Sequence, residues 1–373
     1  MVEKALLNID AVLGLIIEEL VRKNVRALET LTKYLNRYII KSKTNTVFSR
    51  PLKGRKIIMS IKFHLPDFAE HYHFNRVFLA VMKNCPEYFY DGLEIASVYG
   101  TFPQSLWNGG RIVNGVFDKN TIKTVVREFD KLNIPLRFTF TNPTITEEDL
   151  KDDFCNFILR TANNGKNGVI VVSPLLEEYI RTKYPDYKIT SSTCKRITDI
   201  EKLNEEVEKK YDIVVLDYDF NNKFDVLEKM KNKKKCEILV NACCQPACPK
   251  RSQHYRDIGN MQRAICSYLK TSQKVPFDPA KYNAKDENSD YCPYMRYDFA
   301  DVKQHSTHIT PSDIFEKYIP MGFEQFKIEG RTLNAFTLAE YYLYYMVKPE
   351  YLDKARMTFY CQLIQKEIIS SAF

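Results

Sequence analysis

Glycine is scarce in this 373-residue chain, with 12 in all, and no glycine-rich run follows a strand-like segment. A loop that cradles phosphates through closely approaching backbone N–H groups is therefore excluded. Histidine is scarcer still, at six: His64, His71, His73, His254, His305 and His308. Neither Gly-x-Ser-x-Gly nor His-Glu-x-x-His occurs, so a nucleophile elbow and a helical zinc-protease site are both missing. A bilayer helix needs about 20 consecutive apolar residues, and the most apolar early stretch, residues 11–20, carries Glu18 and Glu19. That stretch also lacks the basic start and the small-residue cleavage site of a secretory signal. The expectation is a cytoplasmic protein without a membrane span.

What the chain does have is the composition of a folded domain, 45% hydrophobic and 27% charged. Its 55 Lys and Arg outnumber 47 Asp and Glu, giving a net charge of +8 that is spread along the chain. Such an excess permits weak attraction to an anionic partner such as RNA without identifying one. The length exceeds the roughly 250–300 residues of a single core, so one large domain with an appendage is expected.

The chain divides near residue 58. Leu7, Val12, Leu13, Ile16, Ile17, Leu20 and Val21 recur at helical spacing, and Leu28, Leu31 and Leu35 continue the pattern. Residues 1–58 read as a helical extension ending in a basic linker, either a face for a protein partner or a helix packed on its own domain. Beyond it, eight short apolar runs begin near residues 61, 92, 136, 168, 188, 213, 237 and 323, with helical patterns between most of them. Apolar runs alternating with helices signal parallel strands. Eight such units without a dinucleotide fingerprint point to an α/β fold of (β/α)8 TIM type over 59–350, with a doubly wound open sheet as the alternative. Residues 351–373 read as a C-terminal helix packing on the barrel. The interval between strands seven and eight, 242–322, is far longer than an ordinary crossover, and long insertions of this kind usually carry function.

That insertion holds five of the ten cysteines: Cys243, Cys244, Cys248, Cys266 and Cys292. In a reducing compartment such clustering argues for metal ligation rather than disulfides. Thiolates are soft ligands that suit iron–sulfur clusters or zinc. Cys244 and Cys248 follow a strand in a turn stiffened by Pro246 and Pro249, and Cys292 precedes Pro293. These three are the expected ligands of a [4Fe–4S] cluster, or of zinc, with Cys266 ahead of Cys243 as the fourth. Arg251 and His254, just beyond the second cysteine, are candidates to donate to a substrate or to tune the cluster, and Asn241 stands at the end of the preceding strand.

The eighth strand and its exit read FEQFKIEGR, ending at Arg331. Together with the cysteine-bearing insertion, this string resembles the collagenase-like peptidase family U32. The resemblance implies a TIM-type barrel with a four-cysteine iron–sulfur site. It further implies either oxygen-independent hydroxylation of an aromatic or RNA-borne substrate or, as the family's name suggests, peptide hydrolysis. A third reading is a non-catalytic module that the cluster staples together.

Active sites in this barrel sit at the C-terminal ends of the strands. His64, Tyr99, Asp217, Asp219, Asn241 and Glu329 fall at such ends. Glu329 and Arg331 are the candidate catalytic pair together with His254. A carboxylate and a guanidinium there either bind an anionic substrate or hold each other, and Lys327 is a second potential partner of Glu329. The run at 107–111, WNGGR, offers an aromatic and a cation on a glycine-containing loop that is able to close over a ligand.

Overall fold

The structure is a computed structural model that describes residues 60–271 and 299–369; the N-terminal helical pattern and Cys292 lie outside the described residues. Eight strands form: β1 (Ile61–Pro66), β2 (Leu93–Gly100), β3 (Leu136–Phe140), β4 (Gly168–Val171), β5 (Lys188–Ser191), β6 (Ile213–Val215), β7 (Cys236–Leu239) and β8 (Gln325–Lys327). Each pairs in parallel with its sequence neighbour, and β8 pairs with β1 (Phe326 opposite Phe63), which closes the cylinder. This is the (β/α)8 barrel that the alternating pattern predicts.

Strand side chains alternate between two faces, and the two faces here differ in kind. Phe63, Val98, Phe138, Val169, Ile238 and Phe326 join the large apolar core between strands and helices. Their alternates, including His64, Ser97, Arg137, Glu237, Gln325 and Lys327, pack against one another inside the barrel. The strands therefore bury an apolar outer face and a polar inner one, whereas barrel interiors are ordinarily filled by branched aliphatics.

Helices start where a side chain satisfies their free N–H groups. In α1 (Tyr72–Asn84) no side chain does so. For α2 (Lys119–Lys131) it is Asp118, for α3 (Asp153–Thr161) Asp152, and for α4 (Pro174–Lys183) Ser173, with proline in the first turn. Asp199 caps α5 (Ile200–Glu208), and the short α6 (Phe224–Leu227) leads to β7.

The insertion then does something the repeat does not foretell. Its helix α7 (Arg251–Lys270) lies on the loops that follow β2 and β3, across the C-terminal mouth. Gln262 donates to Pro103 O and Val113 O and accepts from Val113 N–H. Arg263 bonds Thr144 O and Asp149, and Lys270 bonds Asp152. Gly259 permits the approach, because a Cβ there would lie 2.3 Å from Asn142 Oδ1. The outer-layer position between β7 and β8 is taken instead by Pro311–Asp313 and the wider-wound Ile314–Tyr318, whose Tyr318 ring meets Phe224, Phe323 and Phe326. After β8 come α8 (Ala335–Met346) and α9 (Leu352–Gln365); Phe359 of α9 packs on Phe74 and Phe78 of α1.

Candidate functional site

The barrel interior is built around one carboxylate. Glu237 is fully buried, with Arg137 Nη1 at 2.6 Å, His64 Nε2 at 3.4 Å and Lys327 Nζ at 3.6 Å. Burial alone would raise its pKa, but the charges of Arg137, His64 and Lys327 outweigh that and hold it at about 2. His64 also bonds Ser97 Oγ and Gln325 Oε1, at 2.8 and 2.9 Å. Burial, reinforced by Arg137, pushes its imidazole down to about 3, so it is neutral at pH 7. The sequence puts His64 at a strand end; the structure places it in this network below the mouth.

Above the network, at the C-terminal end, is a cavity of about 70 Å³. Tyr99, Tyr218 and Tyr255 supply aromatic walls, and Arg111, Lys327, Arg331 and Glu329 supply charge. Lys327 Nζ sits 4.0 Å above the Tyr99 ring, a cation–π contact that partly offsets lost hydration. Burial, with Arg137 and Arg331 adding to it against the pull of Glu237, brings its ammonium down to about 8.

Arg331 is the most informative residue of the site. Its guanidinium donates to Asn108 Oδ1 and Thr139 Oγ1, both at 2.9 Å, and to Gly109 O at 2.8 Å. All three acceptors are neutral, and they use three of its five N–H donors. Among the described residues no carboxylate lies within ion-pairing distance, although the side chain is buried. The Gly109–Gly110 turn shapes this contact. A Cβ on Gly109 would strike Thr141 O at 2.3 Å, and Gly110 has a positive φ of 72°.

Glu329 and Arg331 do not pair with each other, as the sequence leaves open. Glu329 binds Arg111 Nη2 and accepts from Cys243 N–H at 2.9 Å. Asn241 secures that position from behind, donating to Glu329 O and accepting from Glu329 N–H. Asn241 thus positions the backbone of the site. The 107–111 loop contributes Arg111 to the cavity, while Trp107 is buried beneath it and donates to Asp149 O.

Arg251 is 1% exposed and bonds Asp217 and Asp219, with Tyr218 3.9 Å from its guanidinium carbon. It clamps the cysteine turn: Asp219 also accepts from the N–H of Ala247, a residue with a left-handed φ of 53°, and Arg251 donates to Gln245 O. His254 follows on α7, half-buried, its imidazole held below the usual value by burial and then by Arg111, and it is not among the residues lining the cavity.

The expected cluster ligands distribute as follows. Cys244 packs against Tyr218, Leu239 and Ala242 at the rim, and Cys248 closes the same turn. Cys266 faces elsewhere: on α7 its thiol donates to Gln104 O at 3.3 Å, and burial pushes its pKa to about 12. Cys243 is buried beside Asn241 O, with its thiol pushed up to about 11. Among the described residues no three His, Cys, Asp or Glu gather as a metal would require. The described cysteines alone therefore do not fit a four-thiolate site, and Cys266 is separated from the other two by the docking of α7. Sequence reasoning missed Cys194, Tyr218 and Tyr255 as cavity residues; only their places just past β5 and β6 and on the insertion hinted at them.

Among the described residues no helix is long and apolar enough to cross a membrane. No family of known proteins matches the chain by sequence, and no curated protein does. Among solved structures the chain is similar to a U32 peptidase, Mk0906, with 12% identity and a TM-score of 0.43 over 76% of this chain and 99% of that one.

Proposed function

We propose that this chain is an enzyme whose barrel mouth holds a small anionic substrate on Arg331. The observation that carries the reading is a buried guanidinium, without a carboxylate partner among the described residues, lining a cavity that Arg111 and Lys327 also line. A buried charge is costly unless it is compensated; the buried carboxylate of Asp67 offsets part of that cost from beyond ion-pairing distance, and an anion entering the cavity would supply a direct partner. Arg offers a planar fork to a carboxylate or phosphate. Glu329, fixed by Asn241 and Arg111, contributes a carboxylate to the same cavity, and the tyrosines form apolar walls for the rest of the substrate.

Peptide hydrolysis, the activity in the similar structure's name, is less well supported. Cys194 is the thiol in the cavity, burial pushes its pKa up, and none of the six histidines lines the cavity. Iron–sulfur redox chemistry rests on Cys244 and Cys248 together with Cys292, which lies outside the described residues. A brown protein on anaerobic purification that loses its colour with Cys244→Ala supports a cluster, and a colourless one removes it.

Calorimetric titration with oxalate and with inorganic phosphate tests the anion site. Binding that weakens in Arg331→Gln supports it; equal binding in both proteins, or none in the wild type, overturns it.

A further inference from the structure

Lys327 is the cavity residue whose position the anion site does not explain. Its Nζ has no hydrogen-bond partner among the described residues, Glu237 Oε1 is 3.6 Å away, and one face rests on the Tyr99 ring. The side chain is nine-tenths buried and lines the same cavity as Arg331. The ammonium is thus held by one ion pair and one ring face, with no acceptor close enough to hydrogen-bond it, the converse of the usual rule for buried polar groups. Glu237, Arg137, His64 and Gln325 lie on the barrel side of it, and Arg331, Cys194 and Glu329 on the cavity side.

Building on the anion-site reading, we propose that Lys327 is an imine-forming amine, and that the substrate is a small 2-oxo acid whose carboxylate is held by Arg331. In a 2-oxo acid the carbonyl carbon adjoins the carboxylate, so one small cavity suffices for both contacts. The reaction needs no oxidant or reductant. The ammonium first gives up one proton to solvent water; the free amine then adds to the carbonyl carbon, forming a C–N bond and moving the π electrons to oxygen. The two remaining N–H protons pass to that oxygen, which leaves as water as the C=N bond forms. Overall, amine and carbonyl give imine and one water. The same burial that lacks an acceptor also favours the uncharged amine, which is the nucleophilic form.

The test is reductive trapping of the full chain with pyruvate and sodium cyanoborohydride at pH 7.5, with propionaldehyde as an uncharged second probe. Intact mass and peptide mapping locate the adduct. The expected result is one reduced pyruvyl group on Lys327, favoured roughly tenfold or more over an exposed amine such as Lys234. Adducts confined to exposed lysines with both probes, while oxalate still binds, overturn the amine's role and leave the anion site standing. Trapping on Lys327 by propionaldehyde but not by pyruvate supports the amine and removes Arg331 as the carboxylate holder. Lys327→Met should abolish the adduct; because mapping is done on the wild type, a failure of that variant to fold leaves the test intact.

Discussion

Arg331 and Glu329 are two residues apart in sequence and bind different partners, so their substitutions should separate. Charge-assisted hydrogen bonds contribute about 1.5–3 kcal/mol, which sets the expectation for Arg331→Gln at a roughly tenfold to hundredfold loss of oxalate affinity by calorimetry. Glu329→Gln should act on architecture as well, because the lost charge releases Arg111 and weakens the bond to Cys243 N–H. Its expected signature is a lower urea midpoint together with altered oxalate binding; an unchanged midpoint would contradict the contacts described. Glu237 is the most consequential single carboxylate. Removing it leaves Arg137 and Lys327 buried without their partner, and Glu237→Ala should cost about 3–5 kcal/mol, read from urea unfolding.

At the scale of elements, the turn between β2 and α2 is the part of the site least tolerant of change. Gly109 presents its carbonyl to Arg331 and has no room for a side chain against Thr141. Gly109→Ala should therefore weaken oxalate binding while the barrel strands keep their far-ultraviolet dichroism. The eight strands were legible in the sequence, and local signals agree with some of the turns and helix starts between them. Ser173 before Pro174 marks a cap, and Asn142 before Pro143 makes a turn whose side chain accepts from Thr144 N–H. The mouth helix α7 was not legible, because its buried face meets polar loops rather than a sheet. Gly259 and Gln262 interrupt the apolar sequence of Ile258, Met261 and Ile265 at the very positions that dock. The polar interior was hidden for a related reason. Arg137 within LRFTF and Glu237 within CEIL each look like a lone polar residue in an apolar strand, and their pairing spans 100 positions that no local pattern connects. Arg331 was found as a motif, but its partners come from β3 and from the loop after β2.

For the molecule as a whole, the buried network couples stability to acidity. His64 has a folded pKa of about 3 against 6.5, so between those values the unfolded chain binds a proton that the folded one does not. Stability falls as the pH drops through that window. Glu237, depressed from 4.5 to about 2, adds a contribution that is present above 4.5 and lost as the pH falls towards 2. Urea midpoints should thus decline from pH 7 to pH 4, and His64→Gln should flatten the upper part of that decline; a midpoint independent of pH would contradict the network. The placement of α7 has another consequence, for the order in which the molecule comes together. Gln262 meets Val113 and Pro103 across 149 and 159 positions, and closures over such spans are slow compared with neighbouring strand–helix units. The chain's single tryptophan, Trp107, lies under that seam, its carbonyl taken by the N–H of Asn142, whose side chain in turn grips Gly259 O. Its fluorescence is therefore a built-in gauge of when the rim seals, and during refolding it should settle after the backbone signal of the cylinder itself.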